Sequence, residues 1–119
     1  MITNFEDITR DLEPEEKQLV RVLISGFKTK TKDNPIKAPD IIKKINLDKQ
    51  RLGLKKNITE PRLRKLCNFI RSEGMIPLIA TSSGYYVSYD KEEVKKQIDS
   101  LNERASAIIG SANGLKKFL

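Results

Sequence analysis

The chain has 119 residues, 33% of them charged, with 23 basic against 16 acidic side chains and a formal net charge of +7. That length supports one modest core, and no apolar run approaches the roughly 20 residues that span a bilayer. Histidine is absent and cysteine occurs once, at Cys67, which excludes a Ser-His or Cys-His nucleophile pair, a histidine-containing zinc site and an intrachain disulfide.

In chain order, the opening "MITNFEDITRDLEPEEK" has neither a basic n-region nor an apolar h-region, so no secretory leader is expected. The first helix is signalled by "DLEPEEKQLVRVLISGF": Leu12 and Pro14 precede it, acids fill its first turn, and Gly26 marks its end. Leu19, Val20, Leu23, Ile24 and Phe27 form its core-facing stripe. The lysine-rich connection "KTKTKDNPIK" follows, with room for one short strand around Ile36. "APDIIKKINL" predicts a second helix, with Pro39 in its first turn and Ile41, Ile42 and Ile45 on one side.

After the turn "DKQRLGLKKN", the stretch "ITEPRLRKLCNFIRSEG" predicts a third helix with Thr59 as N-cap, Pro61 in the first turn and Gly74 as the stop. Leu63, Leu66, Cys67 and Ile70 share its buried face. Arg64, Lys65, Asn68 and Ser72 lie opposite, with Arg62 and Arg71 on the flanks. "PLIATSSGYYVSY" then changes period: two β-branched or aromatic runs separated by Ser-Ser-Gly predict a hairpin. Alternation sets Tyr85, Val87 and Tyr89 on one face, with Tyr85 and Val87 expected in the core, and Tyr86 and Ser88 on the other, which makes Tyr86 the candidate exposed aromatic.

The last segment begins with Asp90 as N-cap and Glu93 three residues on, a capping-box arrangement. Val94, Ile98, Leu101, Ala105, Ile108, Ala112, Leu115 and Leu119 recur at steps of 4 and 3, a heptad seam. It packs back on the chain's own domain or pairs with a second copy. Four heptads extend about 40 Å at 1.5 Å per residue, longer than a 90-residue domain covers, so dimerisation through this helix is expected. Gly110 and Gly114 lie off the seam and weaken the end of the helix.

The expected class is therefore mainly α with a small β-hairpin (α+β). Residues 1–89 form one domain and residues 90–119 a helical coiled-coil segment. Three helices followed by a two-stranded wing is the order of a winged helix-turn-helix, with residues 60–73 as recognition helix and 76–89 as wing. The stretch "LRKLCNFIRSEGMIPLIATSSGYYVSYDKEEVKKQIDSLNERASAI", residues 63–108, resembles small winged-helix proteins of bacteriophages and prophages. Its Leu-Arg opening, Ile-Arg before a glycine turn, proline-containing strand, "GYY" wing and long terminal helix carry the likeness. The resemblance implies a DNA-binding accessory factor of phage replication or transcription in the cytoplasm of a bacterial host cell, and the single cysteine fits a reducing compartment.

Charge points the same way. Residues 1–27 balance at −3, residues 28–65 at +9, residues 66–89 at zero and residues 90–119 at +1. One basic block beside an acidic segment favours a polyanion partner. On the recognition helix Arg62, Arg64, Lys65 and Asn68 are the candidate base or phosphate contacts: arginine pairs with guanine O6 and N7, asparagine with adenine N6 and N7. Lys28, Lys30, Lys32, Lys37, Lys43, Lys44, Lys55 and Lys56 are candidate phosphate contacts, which position without reading sequence. Ser82 and Ser83 at the wing tip either bond a phosphate or simply complete the turn. The bland reading of all these residues is a solvated polar face.

No catalytic residue, metal site or cofactor is expected. Cys67 lies on the apolar stripe, "GSANG" lacks the Gly-Lys-Ser/Thr of a phosphate loop, and Glu15-Glu16 and Glu92-Glu93 read as helix first-turn acids. The competing functional reading is a protein–protein adaptor built on the same scaffold. Single-stranded or RNA binding is weaker, because the seven aromatics are mostly expected in the core and leave no stacking platform.

Overall fold

The computed structural model describes residues 11–119; the expectation about the opening residues concerns, in its first ten positions, residues outside that range. The described helices are α1 (Pro14–Lys17), α2 (Leu19–Phe27), α3 (Ala38–Leu47), α4 (Glu60–Ser72) and α5 (Lys91–Leu115), with strands β1 (Leu78–Thr81) and β2 (Gly84–Val87) between α4 and α5. The chain is mainly helical with one small antiparallel sheet. It divides into two compact units, one ending at Ser88 and one comprising Tyr89–Leu119.

Local chemistry accounts for most helix boundaries. The expected first helix forms in two pieces joined at Gln18. A capping box opens it, in which the Glu13 backbone N–H donates to Glu16 Oε1 at 2.8 Å, satisfying one of the orphan donors of a helix start. Pro39 sits in the first turn of α3. Thr59 caps α4, its hydroxyl accepting from the Arg62 N–H at 3.4 Å. Gly74 ends α4 at φ +62°, and the Met75 N–H returns to the Ile70 carbonyl at 3.1 Å, a left-handed stop that glycine adopts without Cβ strain.

The first unit is built around one apolar cluster. Leu19, Phe27, Leu63, Leu66, Ile70 and Cys67 are fully buried at its centre, and Val20, Leu23, Ile41, Ile45, Leu54, Ile58, Ile76 and Leu78 complete it. α2 packs on α4 and β2, α3 on α4, and α4 on β1. The Phe27 and Tyr85 rings meet at 5.6 Å between centroids, tilted by 45°, a favourable aromatic arrangement.

The hairpin pairs Leu78 with Val87, Ile79 with Tyr86, Ala80 with Tyr85 and Thr81 with Gly84. Its loop is therefore Ser82-Ser83, and the glycine expected in the turn belongs to β2. Gly84 has φ +128°, and a Cβ there would stand 2.6 Å from the Ile36 carbonyl oxygen. That carbonyl accepts from the Tyr85 N–H at 2.7 Å, while the Ile36 N–H donates to the Tyr85 carbonyl at 2.9 Å. The short extended piece expected around Ile36 is thus a one-residue bridge that extends the hairpin. Glycine is needed because the connecting segment runs directly against β2.

α5 runs unbroken through Gly110 and Gly114 to Leu115, with Asp90 as its N-cap accepting from the Glu92 N–H at 3.1 Å. A 3-10 turn over Lys116–Phe118 follows it. No residue of α5 is buried. Among the described residues no helix is long and apolar enough to cross a membrane.

Candidate nucleic-acid interface

The outward side of α4 carries Glu60, Arg64, Asn68 and Ser72, all exposed, with Lys65 half-buried beside them. Arg64 Nη2 donates to Glu60 Oε1 at 2.9 Å, one helical turn back. Such exposed pairs contribute about 0–1 kcal/mol, so Arg64 can leave Glu60 for a stronger acceptor. On α3 the exposed residues include Asp40, Lys43, Lys44 and Leu47. Lys30, Lys43 and Lys44 line one shallow groove with Pro35, Ile36, Asp40 and Leu47, so the structure brings these three lysines together.

The other lysines are distributed differently. Lys28, Lys32, Lys37 and Lys55 are exposed on connecting segments, and Lys30 is half-buried. Lys56, also exposed, borders a cleft of about 120 Å³ shared with Glu13, Glu15 and Glu16. It therefore stands among carboxylates rather than with the groove lysines.

Two expected contact residues are not on the surface. Arg62 is only 3% exposed. Its Nε donates to Glu16 Oε2 at 2.8 Å, its Nη2 to Glu16 Oε1 at 2.6 Å, and the same Nη2 to the Asp11 carbonyl at 2.9 Å. Helical spacing placed Arg62 on a flank of α4; Glu16 of the acidic first turn of α1, 46 residues away, draws the side chain inward. A buried guanidinium stays charged and must be paired. Tyr86, expected to be an exposed aromatic, is 5% exposed and pairs with buried Ile79 across the hairpin. Strand alternation failed to separate core from solvent because both hairpin faces are covered at this point: Leu78, Tyr85 and Val87 pack on the apolar cluster, and Ile79 and Tyr86 are buried on the other side.

The three arginines of the 28–65 block are each engaged by a carboxylate: Arg51 by Asp48, Arg62 by Glu16 and Arg64 by Glu60. Arg51 Nε lies 2.6 Å from Asp48 Oδ2, and this contact lowers the Asp48 pKa. The remaining cations of the block are lysines, which act as hydrated point charges instead of bidentate forks.

Ser82 and Ser83 are exposed at the hairpin tip. The Ser83 N–H donates to Thr81 Oγ1 at 3.2 Å and the Thr81 hydroxyl to the Gly84 carbonyl at 3.4 Å. These bonds hold the turn and leave both serine side chains outward. Cys67 is buried, and desolvation pushes its pKa up to about 11 despite a hydrogen bond with Tyr85. A protonated, enclosed thiol is a poor nucleophile.

One positioning residue had no signal in the sequence. Asn46 Nδ2 donates to the Ile58 carbonyl at 3.2 Å, and its Oδ1 accepts from the Ile58 N–H at 2.8 Å. This two-bond clamp joins the end of α3 to the segment leading into α4, setting where α4 starts relative to α3. A polar residue inside a short helix gives no hint of a partner twelve residues later.

Comparison with known protein families, with curated proteins and with solved structures gives no match.

Proposed function

We propose that this chain is a non-enzymatic protein that binds double-stranded DNA with a winged helix-turn-helix. In this reading α4 enters the major groove, α3 lies over the adjoining phosphates and the β1–β2 hairpin is the wing. The particular role we propose is that of a phage-type accessory factor of replication or a regulator of transcription, on the resemblance carried by residues 63–108.

The observation that supports it most is the exposed set Lys43, Lys44, Arg64 and Asn68 on two helices packed against each other, within the block balanced at +9. With Arg62 internal and the groove cations mostly lysine, phosphate contacts outweigh base contacts. The proposed binding therefore has modest sequence preference and strong salt dependence.

The test is fluorescence anisotropy with a labelled duplex of mixed sequence across a salt series. Wild type should show a steep log–log slope, and Lys43→Ala/Lys44→Ala/Arg64→Ala should flatten it by roughly 2–3 units, about 0.9 per lost phosphate contact. Absence of binding by wild type at low salt would remove the proposal. The exposed apolar seam of α5 then favours the second reading, an adaptor that grips another protein.

A further inference from the structure

We propose that α5 associates with α5 of a second copy in an antiparallel pair centred between Ser106 and Ala107. This inference does not rest on DNA binding. It starts from the apolar seam of α5, on which Ile98 is 51% exposed, Ile108 69% and Leu115 68%. Such a stripe, repeated at heptad spacing along an unbroken 25-residue helix, is the form of surface that another helix fills knobs-into-holes. Gly110 and Gly114 lie on the outer side of the helix, away from the seam, so they open no gap in it.

The order of residue sizes along the seam selects the partner and its direction. Reversing one copy of α5 against another sets Ile98 opposite Leu115 of the second copy, Leu101 opposite Ala112, and Ala105 opposite Ile108, each layer occurring twice by symmetry. Both alanines then face a large side chain. Val94 and Leu119 face each other beyond these six layers, where the helix ends. A parallel pair would instead stack Ala105 on Ala105 and Ala112 on Ala112, leaving two voids between bulky layers. Interfaces that alternate large and small across facing positions fill space; those that stack small on small do not.

Charge is the weaker influence. Reversal brings Lys95 near Lys116 of the second copy, an exposed and screened repulsion, whereas a parallel pair brings Lys95 near Asp90. Exposed pairs of either sign matter less than two unfilled core layers. The twelve large seam side chains of two copies, at about 60–120 Å² each, cover on the order of 1,000 Å². That is the low end for a specific interface, consistent with a reversible dimer.

The experiment uses the full chain. Ile98→Cys and Leu115→Cys are made separately, and the helix seam tolerates both because neither residue is buried. Under mild oxidation, a mixture of the two variants should form a cross-linked dimer, while each alone should not; wild type, with only buried Cys67, is the control. Lys95→Glu should tighten the dimer several-fold in sedimentation equilibrium by facing Lys116. Cross-linking of each variant with itself, together with loosening by Lys95→Glu, would establish a parallel pair and overturn the proposal. A monomer at all concentrations, with no cross-link in the mixture, would overturn it too. Loss of DNA binding in the salt series leaves these outcomes unaffected, so the two proposals fail separately.

Discussion

Replacing Arg62 by methionine keeps the aliphatic bulk and removes the guanidinium. The Glu16 carboxylate keeps the Glu13 N–H at 2.8 Å but loses the guanidinium that engages both of its oxygens. At least three hydrogen bonds are lost, two of them to a carboxylate in a site where the Arg62 side chain is 4% exposed and that of Glu16 11%. Breaking a buried ion pair from one side costs about 3–5 kcal/mol. The adjoining cleft gives water a route to Glu16, so the lower end, about 3 kcal/mol, is expected. Replacing both partners, as in Glu16→Leu/Arg62→Met, removes the stranded charge and should recover most of that loss, giving a coupling of about 2 kcal/mol in a double-mutant cycle. Urea unfolding followed by circular dichroism measures all four corners. If Arg62→Met unfolds within 0.5 kcal/mol (roughly the effect of a neutral surface change) yet loses DNA affinity, Arg62 reads DNA and the internal assignment is refuted.

Gly84→Ala should cost about 2–3 kcal/mol, since it adds strain at φ +128° to a Cβ placed 2.6 Å from the Ile36 carbonyl oxygen; an unchanged urea midpoint would contradict this. Asn46→Ala should cost about 1–2 kcal/mol by leaving the part-buried Ile58 N–H and carbonyl without their side-chain partners. Hydrogen exchange should then quicken at the start of α4 before elsewhere. Alkaline pH should destabilise the first unit. Burial raises the Cys67 pKa from 9.0 to about 11 and the Tyr85 pKa from 10.0 to about 12, so between those limits the unfolded chain releases protons that the native state retains. Stability is therefore full below about pH 9 and falls as pH rises toward 12. Cys67→Ala should start from lower stability but show a shallower decline from pH 8 to 10.5, and an equally steep decline would rule out the thiol's part.

Much of this architecture was legible because it depends on neighbours in the chain. Pro39, the Thr59 cap, Gly74 and the Asp90 cap act within one helical turn, and the stripes Leu19/Leu23/Phe27 and Leu63/Cys67/Ile70 recur at the helical period, so α3, α4 and the start of α5 could be bounded from sequence alone, while the break at Gln18 between α1 and α2 could not. The basic block, too, is a property of composition. Other features required contacts that no local period encodes. Arg62 looked like any flank arginine until α1 supplied Glu16, and Tyr86 looked exposed until both hairpin faces proved covered. Gly84 resembled a turn residue until Ile36 was found against it, and Asn46 acquired a role only by meeting Ile58. For Arg62, Gly84 and Asn46 the deciding partner lies many residues away. Its effect is set by desolvation and steric exclusion, which exist only once the chain has packed.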